Sequence, residues 1–319
     1  MKEYEPVTFS FKTPYPKLNL FIKLLWEDLL NARQFIVFLI CLMFLPLSSF
    51  FLTYFLNYVE NPFIEHVSLF DFGNIGILTF FSYSLIFPCI LSILISPFIP
   101  KELSKKTKLE LGCDKLSYKT VILVKMIAIL TYGTTLSSFS LFIFCLICYL
   151  FQLFYGIFSF FLLHFIYTMI ILIFFESFGF LISSLINIPQ KVRTISIEST
   201  IFIFLILTFI KPIIIYSSEG YGQSIYQNFF LIYVDLNYHF GNIYMFLIQT
   251  TFNPSNSSHN FFLMLLVGKN PPLLYKNKIP RFCLDNSNYI SPLFSIILII
   301  GIAILMKITA FTYFRKHDT

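Results

Sequence analysis

Six stretches of this chain stay apolar for long enough to cross a lipid bilayer, and that restricts its fold more than any other feature. The hydrocarbon core is about 30 Å thick, so a helix needs about 20 apolar residues to cross it. Backbone groups find no water there, and a lone apolar segment can satisfy them only as a helix. The runs fall at 35–58, 75–99, 121–149, 157–185, 197–215 and 289–313. Composition agrees: 57% of residues are hydrophobic, 12% are charged and the mean hydropathy is +0.79. Soluble domains carry roughly 25% charged residues, so a water-soluble globular enzyme is excluded. The expected fold is an all-α polytopic membrane protein with six transmembrane helices.

The loops sort by charge, which sets the expected topology because Lys and Arg near span ends stay on the cytoplasmic side. The tail 1–34 holds Lys2, Lys12, Lys17, Lys23 and Arg33, whereas 59–74 holds Glu60, Glu65 and Asp71 with no basic residue. The next loop, 101–119, carries six lysines around Glu102, Glu110 and Asp114. Lys191 and Arg193 follow the fourth run, and Arg315 and Lys316 follow the last. Both termini are therefore expected in the cytoplasm, in a multi-pass protein of the plasma membrane. The segment 216–288 is expected outside, although it holds Lys269, Lys276, Lys278 and Arg281; long loops translocate largely regardless of charge. The net charge of +6 is mostly this bias and calls for no nucleic acid. The first 34 residues lack the pattern of a cleavable signal, so the first span is expected to direct insertion.

Ahead of that span, Pro6, Pro14 and Pro16 keep the chain extended, and a helix can begin after them. Leu18, Phe21, Ile22, Leu25 and Leu29 then fall on one face, with Asn19, Lys23, Glu27 and Asn31 on the other. Such an amphipathic helix would lie along the inner leaflet with Trp26 at headgroup level and Lys23 beside Glu27. The same pattern also suits a flanking helix that only anchors the first span. Cys41, Cys89, Cys145 and Cys148 lie in spans, Cys113 in the lysine-rich loop and Cys283 alone in the outer segment, which leaves no external disulfide to expect. Cys145 and Cys148 form a C-x-x-C pair, but among Phe, Leu and Ile they read as packing residues.

The lysine-rich loop, KELSKKTKLELGCDKLSYKTVILVK, resembles the corresponding loop of permease subunits of ABC type-2 exporters. Glu102, Thr107, Ser117 and Lys125 stand in register with that family's pattern, while Lys106 and Lys115 replace its usual Gly and Pro. The segment FIKLLWEDLLNAR resembles the family's entry helix through Lys23 and Glu27. GFLISSLINIPQKVRTIS resembles its Gly- and Ser-containing helix end and Pro-Gln cytoplasmic turn, through Gly179, Ser183, Ser184, Pro189 and Gln190. The resemblance implies a permease domain over 35–319 with a coupling helix at 101–111. It also implies a second permease chain, identical or related, and separate ATP-binding subunits that carry the ATP and Mg. The residues expected to meet such a subunit are Glu102, Thr107, Glu110, Ser117 and Lys125. A loop whose lysines merely meet anionic lipid is the alternative, at roughly 1 kcal/mol each.

The chain has no P-loop: Gly268, Lys269 and Asn270 lack both the leading glycine and the hydroxyl residue. No catalytic, cofactor or metal site is expected in it. Glu176, deep in the fourth run, is the one acid that calls for a role, because an ionisable group at that depth must face protein or water. Helix packing and substrate contact are both open for it. His164 lies twelve residues earlier, some 18 Å along the helix and out of direct reach. Pro88, Pro97 and Pro212 read as kinks or helix ends. In the outer segment, Asp235, Asn237, His239 and Asn242 interrupt what would otherwise be a seventh span, and helices lying on or dipping into the outer leaflet are expected. Asn256-Ser257-Ser258 fits a glycosylation acceptor. An aromatic content of 20% is compatible with a lipid-like cargo. The rivals to a permease are a secondary carrier, a membrane-embedded enzyme and a scaffold.

Overall fold

A computed structural model describes residues 32–60, 78–95, 118–150, 157–186, 188–210, 231–248 and 290–317, and nearly all of these are helical. In chain order the helices are α1 (Ala32–Glu60), α2 (Leu78–Ile95), α3 (Tyr118–Leu150), α4 (Ile157–Leu185) and α5 (Pro189–Ile210). A single turn, α6 (Leu231–Val234), precedes α7 (Leu236–Ile248) and α8 (Pro292–His317). Five of them, α2, α3, α4, α5 and α8, are long and apolar enough to cross a membrane. The first run of the sequence falls within α1, a continuous helix of 29 residues.

Helix α4 is the hub, packed against α2, α3, α5, α7 and α8. Two glycines leave room for side chains of neighbouring helices. A Cβ on Gly133 would lie 2.6 Å from Leu172 Cδ1, and one on Gly179 would lie 2.8 Å from Ile95 Cδ1. Backbones meet closely in membrane bundles through small residues of this kind. Cys145 and Cys148 are free and buried in the apolar core.

Proline shapes two helices. Pro46 lies inside α1, where its missing N–H leaves the carbonyl of Leu42, four residues back, without its helical donor. Ser82 Oγ of α2 donates to that carbonyl and closes the gap. In α2 the turn just before Pro88 opens into a π-helical turn, Ser82–Ile86, closed by the N–H of Phe87 on the carbonyl of Ser82. The wider turn relieves the clash of the proline ring with the preceding turn. It also aims three consecutive polar side chains at three different helices. Ser82 reaches α1, Tyr83 donates to Ser140 of α3 at 2.7 Å, and Ser84 meets the Tyr167 hydroxyl of α4 at 2.6 Å. Pro88 thus follows a π-helical turn inside α2, so it does not end the helix, and Pro97 and Pro212 lie outside the described residues.

Two expectations are corrected. The fifth span is expected at 197–215, but α5 begins at Pro189, with Pro189 and Gln190 in its first turn and not in a connecting turn. Pro is suited to that first position because its missing N–H would be unpaired there anyway. The polar stretch PQKVRTISIEST is helical without being apolar, so the hydropathy edge fell inside the helix. The second correction concerns α7. Its residues 237–245 are all buried, which overturns a helix lying on the leaflet and leaves the other expected form, one that dips into it. At thirteen residues it is about 20 Å long, too short to cross a bilayer. Asp235, which reads as an interruption of an apolar run, is its N-cap: Asp235 Oδ1 accepts from the N–H of Tyr238 at 3.1 Å.

Candidate functional site

The charged centre of the bundle pairs α4 with α8. Glu176 is fully buried, and its Oε2 accepts from Lys307 Nζ at 2.7 Å. Lys307 comes from the last span and keeps a quarter of its side chain exposed. Glu176 Oε1 is buried and meets no donor among the described residues. An acid at this depth therefore has a partner on one oxygen and none on the other. Sequence reading singled out Glu176 and missed Lys307. The signal was present, since Lys307 is a lysine inside an apolar run and such a residue calls for a named partner.

A second polar region surrounds α7. His239 Nε2 lies 3.2 Å from the carbonyl of Tyr233, which can only accept, so this nitrogen carries the proton. Nδ1 is then the acceptor for the Ser295 hydroxyl at 3.0 Å. Asn242 Nδ2 donates to the same hydroxyl oxygen at 3.0 Å and to the carbonyl of Ile290 at 2.9 Å. The N–H of Ile290 donates to Tyr238 Oη at 3.3 Å, and Asn237 Nδ2 donates to Thr208 of α5 at 2.8 Å. His164 follows the same logic as His239: Nδ1 donates to the carbonyl of Phe160 at 2.9 Å and Nε2 accepts from the Tyr244 hydroxyl at 3.0 Å. His164 thus pairs with α7 and not with Glu176, in keeping with the distance along α4.

Aromatic rings complete the packing of α7. Tyr244 lies 5.0 Å from Phe80 and 4.9 Å from Tyr167, and Phe240 lies 5.2 Å from Phe204 and 5.3 Å from Phe174, centroid to centroid. These contacts also fix direction. His164 and Ser295 both meet α7 within one turn, at Tyr244 and Asn242, while Glu176 meets Lys307 twelve residues further along each helix. Helices α4 and α8 therefore run parallel. The two polar regions lie about 18 Å apart along them.

Of the residues expected to meet an ATP-binding subunit, Lys125 lies near the start of α3 and is 2% exposed, turned toward its own chain. Glu102, Thr107, Glu110 and Ser117 lie outside the described residues, as do Lys23, Trp26 and Glu27 of the expected entry helix and Asn256. Among the described residues no group of three or more His, Cys, Asp or Glu could hold a metal ion. No protein-family model matches the chain, and no curated protein sequence matches it either.

Proposed function

We propose that this chain is the transmembrane permease subunit of an ATP-driven exporter, with ATP and Mg bound by a separate subunit. In this reading α1 is a sixth span, both termini are cytoplasmic, and the membrane is the plasma membrane. A second permease chain completes the pathway, and the entry helix around Lys23, Trp26 and Glu27 lies on the inner leaflet. The observation that carries the reading is the charged segment between α2 and α3, whose Glu102, Thr107 and Ser117, with Lys125 in the first turns of α3, keep the exporter register. A short polar element held at both ends by packed spans transmits force well, because it cannot move without moving them. Nucleotide-driven closure of a partner against Glu102, Thr107 and Glu110 would tilt α2 and α3. Helix α4, packed against both, would carry the tilt toward α8.

Gentle solubilisation of the tagged chain tests this. A nucleotide-binding protein should co-purify in fixed proportion, and Glu102→Lys should weaken its retention while insertion into the membrane is unchanged. Absence of such a protein, or retention indifferent to Glu102→Lys, would contradict the reading. One observation favours a second reading, a secondary carrier: a buried acid joined to a part-exposed base between two parallel spans. Ion-coupled carriers keep ionisable groups within their spans in this way. Transport by the chain alone in vesicles, without nucleotide, would select it.

A further inference from the structure

We propose that Glu176 and Lys307 form a binding site for the headgroup of a phospholipid that carries a primary ammonium beside its phosphate. The proposal rests on the position of the pair in a multi-pass membrane protein and not on what drives transport. Glu176 Oε2 takes the Lys307 ammonium, and Oε1 is buried with no donor among the described residues. A buried carboxylate oxygen left without a donor is costly, so the site is chemically complete only when a further donor arrives. Lys307 is the accessible member of the pair and marks the side of entry. Its neighbours Ile304, Leu305 and Ile308 are exposed apolar residues, which in a membrane face lipid chains. The pair thus sits where the bundle meets the lipid, with the acid inward and the base outward.

Depth and charge narrow the ligand. Lys307 precedes Tyr313, at the end of the apolar span, by six residues, about 9 Å of helix. Lys307 Nζ is held on Glu176 Oε2 at that depth, within reach of a headgroup that enters from the end of the span. The Glu176 and Lys307 pair is neutral, so a neutral guest avoids burying net charge. A zwitterion meets this condition with its ammonium on Glu176 Oε1 and its phosphate on Lys307. A choline headgroup has no N–H to give Oε1, and an anionic glycerol headgroup brings a charge with no compensating cation. Phosphatidylethanolamine has the required chemistry.

The test uses the full chain reconstituted in vesicles of equal parts phosphatidylethanolamine, phosphatidylcholine and phosphatidylglycerol, then extracted in mild detergent, with retained lipid quantified by mass spectrometry. Wild type should retain the ethanolamine lipid over the choline lipid by about fivefold or more, as one charge-assisted hydrogen bond warrants. Glu176→Gln, nearly the same shape, should bring the ratio close to one. The exchange of Glu176→Lys with Lys307→Glu keeps a pair should the single variant fail to fold, and it should lose the preference because the carboxylate then faces the phosphate. Soluble phosphoethanolamine at millimolar concentration should not displace the lipid. Equal retention of the two lipids by wild type, a preference that survives both variants, or displacement by the soluble headgroup would overturn the assignment.

Discussion

The region around α7 and the pair joining α4 to α8 are both buried and polar, yet they are finished to different degrees. Around α7, His239, Asn242, Ser295 and the backbone of Ile290 exchange hydrogen bonds in a connected set, and His164 has a partner on each ring nitrogen. At Glu176 one oxygen is paired and the other has no donor among the described residues. A connected network with named partners fixes a structure. A half-satisfied pair in the same interior costs stability, which the proposed lipid headgroup would offset.

Four substitutions break or sharpen this contrast, in order of expected effect. Lys307→Met leaves Glu176 as an uncompensated buried charge and should destabilise by about 3–5 kcal/mol, read as a lower thermal unfolding midpoint in detergent. Adding Glu176→Gln to it should restore most of that loss; a double variant as unstable as the single one would mean that packing and not charge is at fault. Gly179→Ala drives a Cβ against Ile95, with Cδ1 at 2.8 Å and Cγ2 at 3.2 Å. The expected cost is about 1–3 kcal/mol, partly recovered by Ile95→Val, which removes Cδ1. Asn242→Ala strips a donor from Ser295 and from the carbonyl of Ile290. Polar contacts within membranes are worth about 0.6–1.7 kcal/mol, and the loss should appear as faster amide exchange or proteolysis around α7 before the global midpoint moves.

The smallest effect concerns Ser82. Its loss in Ser82→Ala exposes the Leu42 carbonyl that Pro46 has freed, at a cost of about 1 kcal/mol. In a Pro46→Ala background the helix supplies its own donor, so Ser82→Ala should cost less there. Equal costs in the two backgrounds would remove the link between the proline and the serine.

Hydropathy made the long helices legible because a bilayer imposes one length and one composition on each. The fourth run, 157–185, coincides with α4, and the third and last differ from their helices by a few residues. Hydropathy is uninformative where helix and apolar run part company. The first turns of α5 are polar and helical, and α7 is buried while carrying Asn237, His239 and Asn242, because protein partners replace the missing apolarity. No single-chain pattern reveals that Asp235 caps a buried helix, since the same Asp equally suits a loop. Glu176 was found by the rarity of an acid in an apolar span, and the same reasoning applied to the last run finds Lys307. Their pairing was not legible, since 131 residues separate them and only the parallel packing of α4 and α8 brings them together.

If Glu176 and Lys307 are kept for a ligand and not for stability, then removing both charges together should leave the fold no weaker. The direct measurement is the unfolding midpoint of the Glu176→Leu, Lys307→Leu double variant beside its retention of ethanolamine lipid. An unchanged or higher midpoint is predicted, since apolar replacement of a buried pair is often neutral or stabilising by about 1–4 kcal/mol, together with loss of the lipid preference. A midpoint as low as that of Lys307→Met, or an intact lipid preference, would contradict it.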